Sequence, residues 1–157
     1  MDNLLIADTF DLGDVSSVDA LNQNPGPDGL SLREAVSASN NTPGYQIIRF
    51  GVAGTIQTVT PLPVFIDETG GTYIESDGDI TLDGAIQNGS DGIEIQYSDC
   101  LIRGLRFINY GGYAIALRSF GFGSGNRVLG CWIGLDAAGN PGTSNGSGIL
   151  IQDSSNN

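Results

Sequence analysis

The feature that most constrains this chain is a recurrence of very short aliphatic strands punctuated by glycine. Ile80-x-Leu82-x-Gly84, Cys100-x-Ile102-x-Gly104 and Asn126-x-Val128-x-Gly130 share one pattern, at steps of 20 and 26 residues. A second set, Ile93-x-Ile95, Ile115-x-Leu117 and Ile149-x-Ile151, runs in phase with it at steps of 22 and 34. The extra length falls in two polar stretches, 120–126 and 135–146. Such short segments cannot bury an inward face alone. Stacked as successive coils, they pair each backbone N–H and C=O with the coil above and below and set Ile over Ile. Glycine marks the bend, where a side chain would collide. The pattern predicts an all-β fold, a parallel β-solenoid. A sandwich of hairpins is the rival, and Asp83-Gly84 and Asp91-Gly92 would suit its two-residue turns. Hairpins, however, do not explain one motif order repeated in three consecutive segments.

The first 44 residues differ. Residues 1–30 read as irregular and acidic, with Asp2, Asp8, Asp11, Asp14, Asp19 and Asp28, and Asn24-Pro25-Gly26-Pro27-Asp28-Gly29 is a loop. Ser31 followed three residues later by Glu34 is a capping box, which predicts a helix over 31–39, with Leu30 and Ala35 placed for a hydrophobic staple. Two helical turns do not stand alone in water, so this helix must lie against something. The chain therefore divides into a cap segment, 1–44, and rungs over 45–157. The stop at Ser154-Ser155-Asn156-Asn157 predicts a solenoid truncated at its C-terminus.

Leu30-Ser31-Leu32-Arg33-Glu34-Ala35-Val36-Ser37-Ala38-Ser39-Asn40-Asn41 resembles the SLREA-type N-terminal cap of bacterial surface proteins built as right-handed parallel β-helices. Gln46–Phe50, Gly54-Thr55-Ile56 and Pro61-Leu62-Pro63 follow in the order seen in those proteins, and Gly130–Asn140 is similar to a segment of their coils. The resemblance implies a right-handed parallel β-helix, a helix covering its N-terminal end, and an extracellular or cell-surface setting; the expected fold is such a helix of about four to five rungs. It carries no catalytic motif.

Composition narrows the chemistry. Among 157 residues there are 18 acids and 6 bases, all arginine, for a net charge of −12. Such a charge repels nucleic-acid phosphates and anionic lipid. No apolar run is long enough to span a bilayer. Without His or Lys, imidazole bases and Schiff-base chemistry are excluded. Carboxylate chemistry, calcium, or no chemistry remains.

Asp77-Gly78-Asp79-Ile80-Thr81-Leu82-Asp83 carries three acids in seven residues. If Ile80 and Leu82 point inward, Asp79, Thr81 and Asp83 face out, with the two acids ~13 Å apart along the strand. That exceeds the roughly 5–9.5 Å of a glycosidase pair. Asp77 and Asp79 are candidate Ca²⁺ ligands through loop oxygens, although solvated turn carboxylates are the simpler reading. Arg103, Arg106, Arg118 and Arg127 are candidates for uronate contact or, more simply, for pairing with acids of neighbouring rungs. Tyr97, Tyr110, Tyr113 and Trp132 are candidates for stacking on sugar rings, and Trp132 faces out by alternation with Cys131 and Ile133. Cys100 and Cys131 lie about five strand positions apart, roughly 16 Å, too far for a disulfide.

These readings point to a non-catalytic extracellular or cell-surface module, a scaffold or adhesion surface that contacts carbohydrate. The alternative is a fragment of a polysaccharide lyase or glycoside hydrolase of the β-helix type. No cofactor is called for beyond Ca²⁺. The expected partners are a polysaccharide or cell-surface component and, through open edge strands, other copies end to end.

Overall fold

A computed structural model describes residues 13–87, 89–120, 123–141 and 145–157. Asp2, Asp8 and Asp11, and parts of both polar loops, lie outside the described residues. The chain folds as a parallel β-solenoid of about 3 turns, fewer than the four to five rungs expected. Its strands are β1 (Gln46–Arg49), β2 (Gly54–Gln57), β3 (Thr72–Asp83), β4 (Ile93–Ile95), β5 (Leu101–Ile108), β6 (Tyr113–Arg118), β7 (Arg127–Leu129), β8 (Trp132–Ile133) and β9 (Ser147–Gln152). One sheet runs β1-β3-β5-β7, with β2 on β3 and β8 on β5; the other runs β4-β6-β9. Every pairing between these strands is parallel, so the hairpin sandwich is excluded.

The interior is built from columns of aliphatic side chains. Ile93, Ile115 and Ile149 stand in register, as do Ile95, Leu117 and Ile151, in agreement with the second sequence repeat. The first repeat needs a correction. Ile102 stacks on Ile74, not on Leu82, and the column Ile48–Ile74–Ile102–Val128 rises at steps of 26, 28 and 26 residues. Ile56, Leu82, Phe107 and Ile133 form a separate column. Gly78 therefore occupies the bend that sequence spacing assigned to Gly84. Gly84 is buried against the Tyr110 ring, where a Cβ would come within 2.5 Å of an aromatic carbon.

The error has a physical cause. In β3 four residues, Ser76–Asp79, separate Glu75 from Ile80, whereas in β5 Gly104 alone separates Arg103 from Leu105. The first rung also has a four-residue corner, 50–53, and Gly130 takes the position of Gly104 in the last. Alternation of period two looks the same in either half of a strand, so it does not register a change in corner length.

Two helices precede the coils, α1 (Val18–Gln23) and α2 (Leu32–Asn40). The capping box forms: Ser31 Oγ accepts from the Glu34 amide, while the Glu34 carboxylate accepts from the Ser31 amide. Leu32, Ala35, Val36 and Ala38 of α2 are buried in one cluster with Ile48 and Ile56 of the first rung. Arg33 donates to the carbonyls of Thr60 and Pro61, and Asn40 brackets the carbonyl of Val64 and the amide of Ile66. The helix is thereby tied across the first coil. The short α1 falls in the stretch read as irregular. Its signal was present: Ser17 caps it by accepting from the Ala20 amide, and Leu21 is its buried anchor.

At the far end the columns are uncovered. Ile93 and Ile115 are fully buried, but Ile149 is 44% and Ile151 57% exposed. Both cysteines are free, as their register requires; Cys100 is buried and Cys131 partly so.

Candidate binding face

The outward side chains of the larger sheet form three ladders. The first runs Ile47–Tyr73–Leu101–Arg127, and Tyr45, just before β1, packs edge-on to Tyr73 with ring centroids 4.4 Å apart. Arg127, two rungs above Tyr73, reaches back so that its Nη2 donates to the Tyr73 hydroxyl at 2.7 Å. This strap bridges Leu101, which explains why an outward leucine is only 5% exposed. The second ladder is Arg49–Glu75–Arg103–Leu129, in which Arg49 pairs with Glu75 at 3.2 Å. The third is Thr55–Thr81–Arg106–Trp132. Here the Arg106 guanidinium lies 4.7 Å from the centre of the Trp132 ring.

The change in corner length shapes this face. The four-residue corner Ser76–Asp79 projects, and the single-glycine corners at Gly104 and Gly130 do not. Between the ledge and the recessed corners lies a groove of about 320 Å³, bordered by Ser76, Asp77, Arg103, Arg106, Leu129 and Trp132. That volume is at the lower end of small-ligand clefts, about 300–1,000 Å³. On the other side of the ledge is a smaller hollow of about 130 Å³ beside Arg49, Glu75 and Asp79. Gly104 has φ +68, and a Cβ there would meet the Ser76 carbonyl oxygen. Only glycine allows the recess.

Asp77 and Asp79, the candidate Ca²⁺ ligands, both sit on the exposed ledge. Asp79 accepts from the Ser76 hydroxyl at 2.8 Å, and that hydroxyl accepts from the Gly78 amide. Among the described residues no three Asp, Glu, Cys or His converge to hold a metal. Asp83 lies apart from this ledge, receiving the Asn109 amide group and the Ala85 amide.

The remaining candidates separate cleanly. Arg118 pairs with Asp91 and Glu94 of the rung below, at 2.5 and 2.9 Å. Burial works against its charge, but the two carboxylates prevail and hold it protonated. Arg103 and Arg106 make no ion pair among the described residues, and Arg106 Nε is buried without a hydrogen-bond partner. The simple reading, pairing with neighbouring-rung acids, therefore holds for Arg118 and fails for these two. Tyr110 is corrected: it is fully buried, its hydroxyl 3.1 Å from Thr58 Oγ1, and it offers no surface to a sugar. Tyr97 is bonded to Glu68, which raises its hydroxyl pKa, and Tyr113 lies under Arg118. Trp132 faces out as alternation required and is 41% exposed.

Sequence reasoning did not place Ser76, Leu129 or Gly130 at a site. The available signal was the unequal spacing from Glu75 to Ile80 and from Arg103 to Leu105. No family model, curated protein or solved structure matches the chain.

Proposed function

We propose that this chain is a non-catalytic extracellular or cell-surface β-helix module, a stiff scaffold whose larger sheet contacts polysaccharide. One observation carries this reading: the groove beside the Ser76–Asp79 ledge combines an exposed indole, guanidinium groups and a carboxylate on a rigid strand platform. Aromatic rings present apolar area to sugar faces, while Arg and Asp meet their hydroxyls. The resemblance of 30–41 and 130–140 to bacterial surface β-helices supports the extracellular setting. The surface is acidic and lysine-free, which suits solubility.

The second reading is a fragment of a β-helix lyase or hydrolase. It is favoured by Asp77 and Arg103 sharing one groove. Immobilised polysaccharides, presented with and without Ca²⁺, separate the readings. The module should be retained without shortening the polymer. Depolymerisation would establish the enzyme instead, and retention only with Ca²⁺ would assign Asp77 and Asp79 as ligands of a bridging ion. Failure to bind any polysaccharide would remove the contact role.

Copies of the chain are proposed to meet through the layer of β7, β8 and β9, whose outer edges have no strand partner among the described residues and where Ile149 and Ile151 are exposed. The α2 helix obstructs the opposite end, so the contact joins like to like and closes as a dimer.

A further inference from the structure

We propose that the groove selects an anionic saccharide, whose carboxylate or sulfate is taken by Arg103 and Arg106. This rests on the polysaccharide-contact reading and names the ligand class. Acids outnumber bases 18 to 6, so an arginine without a carboxylate is unexpected. Arg49 and Arg118 have acidic partners, Arg33 holds the carbonyls of Thr60 and Pro61, and Arg127 holds the Tyr73 hydroxyl. Only Arg103 and Arg106, among the described residues, line one groove with no ion pair.

Their setting is suited to a planar anion. Both lie on β5, on either side of the Gly104 bend, and both border the same cleft. The Trp132 ring lies against the Arg106 guanidinium, restricting its rotation and removing water from one face. Nε of Arg106 is buried and has no partner, so the group is already partly desolvated. A guanidinium fork presents parallel N–H donors that match two oxygens of a carboxylate or sulfate. Arg103 is exposed and adds a second guanidinium to the groove; its register neighbour Glu75 is taken by Arg49, and Asp77 borders the same groove. Gly104 and Gly130, the recessed corners, bring bare backbone to the groove, and Leu129 adds an apolar wall. Asp77 stands on the rim, where its carboxylate accepts hydroxyls and repels a second anion. The best fit is a sugar carrying one charge per ring alongside free hydroxyls, as in a polyuronate or a sulfated glycan.

The test is affinity electrophoresis and calorimetry of the full chain with polygalacturonate, chondroitin sulfate and neutral dextran, all in EDTA so that no calcium bridge contributes. Binding to the acidic polymers but not to dextran is expected, weakening with salt. Arg103→Gln with Arg106→Gln should lower the affinity about tenfold or more, with the far-ultraviolet dichroism unchanged. Arg103→Lys, which keeps the charge without the fork, should fall between. Inorganic sulfate at equal ionic strength should compete weakly, because it lacks the ring. Equal binding of dextran and polygalacturonate would overturn the charge selectivity and leave polysaccharide contact standing. Acidic binding untouched by the double variant would place the site elsewhere and overturn the proposal. Binding of no polymer would overturn both.

Discussion

Gly104 lies so close to Ser76 that a Cβ on the glycine would stand 1.8 Å from the serine carbonyl oxygen. The next corner up, at Gly130, has nearly the same backbone, φ +59 against +68, and open space where the Cβ would go. The pair separates conformational cost from collision. Gly130→Ala should lose about 1–2 kcal/mol, the cost of a left-handed residue with a side chain. Gly104→Ala should lose distinctly more, because the Ser76–Asp79 ledge must move as well. Urea unfolding of both variants checks this, and equal losses would refute the steric account.

The cap should matter more through Glu34 than through Ser31. Glu34 is fully buried and accepts from the amides of Ser31 and Gly13 and from the Ser31 hydroxyl. Ser31→Ala removes one capping acceptor and should cost about 1 kcal/mol. Glu34→Ala leaves several buried donors unpaired, each costing about 1–3 kcal/mol. Thermal unfolding of the two variants should rank them in that order.

The thiols supply a pH signature. Burial raises the pKa of Cys100 from 9.0 to about 11. Between these values the unfolded thiol ionises while the native one stays neutral. Its contribution is therefore complete below pH 9 and is lost as pH rises towards 11. Two pKa units correspond to about 2–3 kcal/mol. Stability curves of the chain and of Cys100→Ala should converge over this range. In the native protein at pH 8, Cys100 should resist alkylation until the chain unfolds. Rapid modification under native conditions would contradict its burial.

End-to-end contact makes a prediction about size. Sedimentation should show a monomer–dimer equilibrium that strengthens with salt, as screening relieves repulsion between two chains of charge −12. Ile149→Asp with Ile151→Asp should leave only monomer. Filaments, or a monomer at every concentration, would refute closure through this layer.

Much of this architecture was legible because a dry column demands aliphatic residues at fixed places. Ile93, Ile115 and Ile149 were readable in register across steps as unequal as 22 and 34, since inserted residues went to loops and left the strands unaltered. Trp132 was readable as outward because it alternates with Cys131 and Ile133. The ladder through Ile102 was not, since Ile80-x-Leu82 and the true partner Ile74 follow the same alternation. What distinguishes them is a corner of four residues in one rung and of one in the next, a backbone property with no hydrophobic signature. The groove was hidden for the same reason, because that step creates it. Tyr110 was misplaced because Asn109 takes φ +65, which resets the alternation just before it. Its burial also depends on space left by Gly84, 26 positions earlier in the chain.

The difference between the two ends of the molecule has a dynamic consequence. Each coil holds mainly its neighbours, so local opening starts where a coil has only one. Amide protons of β9, which pairs only with β6 among the described residues, should exchange faster than those of β6, and those of β4, enclosed between Phe65 and β6, should be among the slowest. The fold would then lose its order layer by layer in one direction, towards the helix that closes it.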